Sequence, residues 1–412
     1  MPGVVAVDPE NRPSGRPGRL SFPIAFGAIT AIFVLFAAAA SAPTPLYVVY
    51  QKAWGFPNST LTVIFAVYVL GLIGSLLVLG GLSDHVGRRP VLLAAIALEA
   101  VAFVLFFIAG DVMVLLFARV AQGIATGAAF STLGATLIDL NPPRSPGRAG
   151  LVNSVAPISG LALGALGCGA LVQFAPAPTH LVFALLLAGT VIAGVAVARM
   201  PETSARRPGA IASLAPIVGI PARLRPDVYA LVPILVASWA LGGLYLSLGP
   251  SVAVSLFGLS NHLIGGLVVT LLCAAGALTA FGLRSWPTNT VLGISAVLLS
   301  AGTALTLAGV EVHTVALAAA GTLVAGVGFG ASGLASFGTL SRIASPGERS
   351  ELFAVALVIA YLAFSLPAVA AGFASTLVGL HATMVVYSLG VVALGLVALA
   401  AQGMRSARLK ER

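Results

Sequence analysis

Charged side chains are scarce in this chain, so any that interrupts an apolar run is a candidate for chemistry. Of the 412 residues, 59% are hydrophobic and only 8% are charged. Glu99 and Arg119 both stand inside long apolar runs, with Gln122 three residues after Arg119. An Arg inside hydrocarbon costs at least about 2.5–3.5 kcal/mol on insertion scales, so it must face protein or water and find a partner. Glu99 is the acid deep enough to serve, and an ion pair between them would break when the carboxylate takes a proton. A second group gathers where apolar runs end: Gly80, Asp84, Gly87, Arg88 and Arg89, with Asp139 at the end of a later run. Asp84 and Arg88 are four apart, within pairing reach on a helical turn. Gly87 permits a tight turn and Gly80 a close approach of helices.

The elements that must position these groups are membrane helices. Average soluble domains carry roughly a quarter charged residues, far above the fraction here. An ordinary soluble enzyme, a disulfide scaffold and a disordered chain are excluded. The apolar stretches are continuous rather than alternating, which excludes a barrel, and the 47 Gly and 25 Pro suit membrane helices. Twelve runs are long enough to cross about 30 Å of hydrocarbon: 22–48, 61–82, 90–109, 112–138, 150–173, 179–198, 229–256, 262–283, 289–309, 314–340, 352–377 and 382–401. Cys168 and Cys273 fall inside such runs and read as packing residues. The net charge of +9 hints at nucleic acid, but the basic residues set topology instead. All 21 Lys and Arg except Lys52 and Arg119 fall in tails and loops that alternate spans place on one side. Lys and Arg favour the cytoplasmic side, so both termini are expected there.

The expected fold is therefore all-α and integral to the membrane, with twelve transmembrane helices. Residues 1–21 read as a cytoplasmic tail, disordered and without a cleavable signal. The polar stretch 199–228 divides a six-helix bundle over 22–198 from a second over 229–401, and 402–412 form a second cytoplasmic tail. A weak repeat supports two halves: Ser145-Pro146-Gly147 and Ser345-Pro346-Gly347 lie 200 residues apart. Repeated halves are a signature of secondary transporters, whose substrate site lies between them. At about 1.5 Å per residue, Glu99 stands about 13 Å from the inner face and Arg119 about 10 Å from the outer. Their heights then differ by about 6 Å in a core of about 30 Å, a gap two long side chains can close.

The loop Gly80-Gly81-Leu82-Ser83-Asp84-His85-Val86-Gly87-Arg88-Arg89-Pro90 resembles the GxxxD(R/K)xGRR loop of the major facilitator superfamily. His85 stands where that family usually has Arg or Lys. Arg119-Val120-Ala121-Gln122-Gly123 resembles the family's fourth-helix motif in the shorter form RxxQG. Asn153-Ser154-Val155-Ala156-Pro157-Ile158-Ser159-Gly160 is similar to the GPxxGG motif of its antiporters, with Ala156 and Leu161 replacing two glycines. Pro43-Thr44-Pro45 resembles the first-helix proline pattern of its twelve-helix drug–proton antiporter branch. The resemblance covers nearly all of 22–401 and implies the major facilitator fold. It also implies that the Asp84–Arg88–Arg89–Asp139 network latches the cytoplasmic side in the outward-open state and breaks when the halves rock.

The second half carries no deep charge. Trp239, Tyr245 and Tyr361 are its aromatic candidates for a cavity, beside Pro45, Tyr47, Gln122, Asn153 and Pro157 from the first half. Tyr50 reads as part of an interfacial aromatic belt. An apolar, aromatic cavity suits lipophilic or weakly cationic substrates rather than sugars or phosphorylated compounds. No metal-binding HExxH and no phosphate-binding GxxxxGKS occurs, so no metal, cofactor or enzymatic activity is expected. The expected function is proton-coupled efflux of small hydrophobic or cationic compounds from a bacterial plasma membrane by a monomer. The expected partners are a small-molecule substrate, protons and the lipid bilayer, and no nucleic acid. Uptake or export of one metabolite by symport or uniport is the alternative, and a non-transporting receptor or scaffold is the alternative of another class.

Overall fold

Two prolines near the ends of apolar runs decide how the first span of each half is built. The computed structural model describes residues 20–142, 145, 147–215, 219–259, 261–345 and 348–410. Arg12, Arg16, Arg19, Arg144, Pro146, Pro346, Gly347 and Arg412 lie outside the described residues, as does nearly all of the 1–21 tail. α1 (Phe22–Ser41) passes through Ala42 into α2 (Pro43–Trp54). Ala42 keeps helical angles, so the pair forms one continuous span that runs past the expected 22–48. Pro43 has no N–H, so the Ala39 carbonyl loses its partner one turn back. The arrangement recurs at α9 (Arg225–Ser247) and α10 (Gly249–Phe257), where Pro250 follows the break at Leu248.

The other spans are single helices close to the expected runs: α3 (Asn58–Leu79), α5 (Arg88–Phe107), α6 (Val112–Asp139), α7 (Arg148–Phe174) and α8 (Pro178–Arg199). After the polar stretch come α11 (His262–Gly282), α12 (Thr288–Glu311), α13 (Val315–Ile343), α14 (Arg349–Val378) and α15 (Leu380–Lys410). One short turn, α4 (Ser83–Val86), caps the loop before α5. Among the described residues, twelve helices are long and apolar enough to cross a membrane. Side chains start some of them: Asp111 accepts the Val114 amide at 2.9 Å, and Asn261 accepts that of Leu263 at 2.9 Å.

Among the first six spans α3 and α5 lie along α6, and α1 along α7. In the last six α12 and α11 lie along α13, and α9 along α14 and α15. The two sets meet where α7 packs on α11 and α3 on α14. By the alternation of spans, the connections after α3, α6, α8, α11 and α13 share one face, which carries most of the arginines. Hydrogen bonds that join the two sets sit away from that face. Thr44 Oγ1 donates to the Leu246 carbonyl at 3.0 Å. Thr270 Oγ1 donates to that of Ala162 at 3.1 Å, and the His262 amide donates to Gln173 Oε1 at 3.0 Å. They run from mid-membrane to the face opposite the arginines.

Backbone contact makes two of these seams. A methyl at Gly164 would collide with the Ala38 carbonyl of α1, and one at Gly266 with the Ala165 carbonyl of α7. Such close approach is how membrane helices gain packing and weak C–H contacts without a hydrophobic drive. Gly167, three residues on, has open space around it. Gly164→Leu is therefore expected to lower the thermal stability of the detergent-purified protein by at least about 1–3 kcal/mol. Gly167→Ala should stay within about 0.5 kcal/mol of the parent. Equal stability of the two variants would contradict the seam.

Candidate functional site

Glu99 and Arg119, the charged groups buried within the spans among the described residues, form a bridge rather than a pair. Glu99 and Arg119 are each 1% exposed, and Gln122 is fully buried between them. Arg119 Nη1 donates to Gln122 Oε1 at 2.6 Å and to the Ala40 carbonyl at 3.3 Å. Gln122 Nε2 donates to Glu99 Oε1 at 3.3 Å and to the Ala39 carbonyl at 3.0 Å. The direct Glu99–Arg119 pair expected from their heights does not form. Gln122 lies one turn along α6 from Arg119 on the same face, and its amide carries both the acceptor and the donor needed to fill the gap. The Ala39 carbonyl is available because Pro43 has no N–H to give it. The Arg119 guanidinium also lies over the Tyr68 ring, 4.4 Å from its centroid, and 5.9 Å from that of Tyr47. Glu99 Oε2 and Arg119 Nε find no hydrogen-bond partner among the described residues.

One turn along α3 from Tyr68, Phe65 crosses between the two sets of helices. Its ring centroid is 5.0 Å from that of Phe364 on α14. Trp239 on α9 stands edge-on to Tyr361 at 4.9 Å and to Phe364 at 5.8 Å. The expected candidates Trp239 and Tyr361 therefore do meet, in an aromatic seam one helical turn from the Arg119 bridge. Phe65, Phe364 and Tyr68 were not singled out by the sequence reading, because an aromatic inside an apolar run carries no sign of which way it faces.

Other candidates lie elsewhere. Tyr245 bonds Thr322 Oγ1 at 2.8 Å within the second set of helices. Asn153 Nδ2 donates to the Gly134 carbonyl at 3.3 Å, tying α7 to α6. Pro157 is half-buried in α7, and Pro45 is buried at the start of α2. Tyr47 is 1% exposed and packs beside Arg119 rather than lining an open cavity. Tyr50 is buried too, stacked on Trp54 at 4.7 Å, so it is no interfacial anchor.

The loop cluster comes together. Arg88 pairs with Asp84 Oδ1 at 2.6 Å and with Asp139 Oδ2 at 3.0 Å. Its Nη1 also donates to Ser83 Oγ at 2.7 Å. Gly87 adopts φ +105°, a conformation that favours glycine. Gly80 faces only the Leu76 carbonyl of its own preceding turn, so it does not mediate the close helix approach expected of it. His85, in place of a cation, gives its backbone carbonyl to the Arg207 amide at 2.9 Å. Arg89 reaches back to the Val197 and Ala198 carbonyls at the end of α8.

The sequence reading missed Glu202. Its carboxylate accepts the Arg88 amide at 2.7 Å and the Arg89 amide at 3.1 Å, occupying the N-terminus of α5 where a negative charge is favourable. Thr203 Oγ1 adds a bond to Asp139 Oδ2 at 3.0 Å. The stretch after α8 is thus fastened to the first six spans, while its far end is tied to α14 by Arg223 and Glu348. Ser345, by hydroxyl and amide, holds the Glu348 carboxyl below the usual carboxylate range, with Arg223 assisting. Every partner described for Arg88 comes from the first six spans or the stretch after them. These pairs are closed while the two sets of helices join on the opposite face.

Two outcomes follow from this geometry. Glu202→Ala should cost about 1 kcal/mol, as loss of a helix cap does, and should speed deuterium exchange at the Arg88 and Arg89 amides. Unchanged exchange would show that Glu202 does not hold α5. Gln122→Leu should cost about 1–3 kcal/mol, because it leaves two buried charged groups without the amide between them. A neutral thermal shift would mean that the bridge contributes nothing to stability.

Comparison with known proteins agrees with this architecture. A bacterial homologue of the human lysosomal transporter Spinster, solved in an inward-facing and unoccupied conformation, is similar at a TM-score of 0.72 and 14% identity, over 94% of this chain and 98% of that one. The nucleoside transporter NupG, solved as a point mutant, is similar at a TM-score of 0.70 and 12% identity, over 92% of this chain and 100% of that one. The human organic anion transporter MFSD10 (TETRAN) is similar at 0.64 and 19% identity, over 92% and 100%. At these identities the likeness shows the fold. The family model described as Major Facilitator Superfamily matches residues 27–366. With that match over more than half its length, the chain belongs to the major facilitator superfamily of membrane transporters.

Proposed function

We propose that this chain works by alternating access and exports small hydrophobic or cationic compounds in exchange for protons. The observation that carries the reading is the Glu99–Gln122–Arg119 bridge, buried one helical turn from an aromatic seam between the two sets of helices. A proton on Glu99 would remove the charge that balances Arg119. The Gln122–Glu99 hydrogen bond would lose its charge assistance, and the guanidinium would be balanced by the Gln122 amide, the Ala40 carbonyl and the Tyr68 ring alone. Because α1, α3, α5 and α6 all contribute to the bridge, its rearrangement would bias how the first six spans sit against the last six. The aromatic seam of Phe65, Trp239, Tyr361 and Phe364 suits an apolar or weakly cationic body, since ring faces attract cations.

In this reading the protein is a monomer in a bacterial inner membrane, with both termini on the cytoplasmic side, an orientation that the excess of arginine on one face supports. The domain limits 22–198 and 229–401, with 199–228 between them, make the two moving bodies. In this reading the Asp84–Arg88–Asp139 cluster acts as a brace that shapes the loop between α3 and α5. It would exchange partners only as the halves close over it on the arginine face. The outward-facing state would take a proton at Glu99, and the inward-facing state would release it as substrate enters.

Proteoliposomes with a pH-sensitive dye inside, given a pH gradient and a panel of lipophilic cations, antibiotics and small metabolites, test the reading. Substrate-evoked proton flux is expected, and Glu99→Gln should make transport independent of pH. Substrate movement without proton flux would favour uniport of a single metabolite and leave Glu99 a structural partner of Gln122. Asp84→Asn should lower transport by about tenfold or more, equivalent to about 1.4 kcal/mol on the limiting step, while the protein stays folded and inserted. Full activity of that variant would remove the brace from the mechanism.

A further inference from the structure

A cavity of about 290 Å³ lies inside the last six spans, and its lining includes no residue of the bridge or of the aromatic seam. It is walled by the end of α9, by α10, and by α11, α12 and α13, and Met384 of α15 touches it. Only three of its lining side chains carry a hydroxyl: Tyr245, Thr306 and Thr322. All three are occupied. Tyr245 and Thr322 bond each other at 2.8 Å, Thr322 donates to the Ala318 carbonyl, and Thr306 donates to that of Gly302. Water needs two to four polar partners in such a space, and these walls have no free donor, only lone pairs on hydroxyls that are already bonded. Protein interiors hold few voids larger than a water molecule, so a cavity of this size and lining takes an apolar guest.

The membrane is at its door. Val315 on the rim is 44% exposed. Leu271 belongs both to the cavity and to a groove of about 510 Å³ on the outer surface between α11 and α13. That groove continues along Leu278, which is 73% exposed. Leu271 lies nine residues along α11 from His262, about 14 Å at ~1.5 Å per residue. The cavity therefore spans about one leaflet of a core about 30 Å thick. We propose that it is a lipid site, which holds one acyl chain of a phospholipid from the leaflet opposite the arginine-rich face. The chain enters between α11 and α13, and the headgroup stays at the end of α10. The site lies apart from the proposed transport path and does not depend on proton coupling.

The full chain in phospholipid vesicles, doped with a phosphatidylcholine that carries a diazirine at the end of one acyl chain, tests this. After irradiation, mass spectrometry should find adducts on the segments bearing Leu267, Val268 and Ala319. Val252→Phe and Ala319→Phe each place a ring in the cavity. Either should cut those adducts by about tenfold, the effect of about 1.4 kcal/mol in binding, while labelling at Leu278 in the open groove stays unchanged. Should one variant fail to fold, the other is read. Should both fail, excess unlabelled phosphatidylcholine of the same chain length must compete the cavity adducts away in the parent protein. Labelling in proportion to exposure, with Leu278 modified and the cavity segments not, would overturn the proposal. So would cavity adducts that the filling variants leave intact, or adducts from a diazirine fatty acid but none from the phospholipid.

Discussion

No water waits inside a bilayer to satisfy a stranded polar group, so a buried Arg must be satisfied by the protein itself. Arg119 meets most of this demand with the Gln122 amide, the Ala40 carbonyl and the Tyr68 ring, while its Nε is left without a hydrogen-bond partner among the described residues. Much of the first six spans is arranged around that requirement. Pro43 leaves the Ala39 carbonyl free for Gln122, and the glycines of α6 bring it close to α3, which carries Tyr68. Glu99 on α5 closes the arrangement by supplying the opposite charge at one remove. An amide between two charges is a responsive device. It can donate to a carboxylate and accept from a guanidinium at once, and each of these bonds weakens when the charge on its partner is removed.

A second set of charges works under different rules. Arg88 stands at a helix start near water, held by Asp84, Asp139 and Ser83, while Glu202 holds the amides of the same turn. Arg88 is itself buried while Asp84 and Asp139 keep access to water, so removing an acid would leave a buried cation short of a partner. The value of these contacts also lies in geometry, because they fix the turn between α3 and α5 and fasten the connecting stretch to it. The ties between the two sets of helices run from mid-membrane to the other face, through Thr44, Thr270 and Gln173. Among the described residues, these hydrogen bonds thus brace one face and join the two sets of helices away from it.

The spans were legible because hydrophobic length is a strong and local signal. Each expected run matches a helix within a few residues, apart from those prolonged by α2 and at the end of α15. The partnership of Asp84, Arg88 and Asp139 was legible because charges at loop ends have few alternatives. The intervention of Gln122 was not, since heights along two helices do not specify which way each face turns. Glu202 escaped notice because it lies 114 residues from the amide it holds. Phe65 and Phe364 look like any other aromatic in an apolar run, and Tyr245 reads the same whether it faces a transport path or a separate cavity. Direction around the helix axis decides these cases, and that depends on packing rather than on local pattern.

The central claim is that the charge on Glu99 biases how the two sets of helices sit. Distances between spin labels at Gly150→Cys and Ser285→Cys, at the arginine-face ends of α7 and α11, measure this directly, and both native cysteines are buried. Double electron–electron resonance on the reconstituted protein would be recorded across a pH series, with and without Glu99→Gln. The account predicts a distance distribution that shifts with pH in the parent and stays fixed in the variant. A shift of equal size in both, or none in the parent, would contradict it.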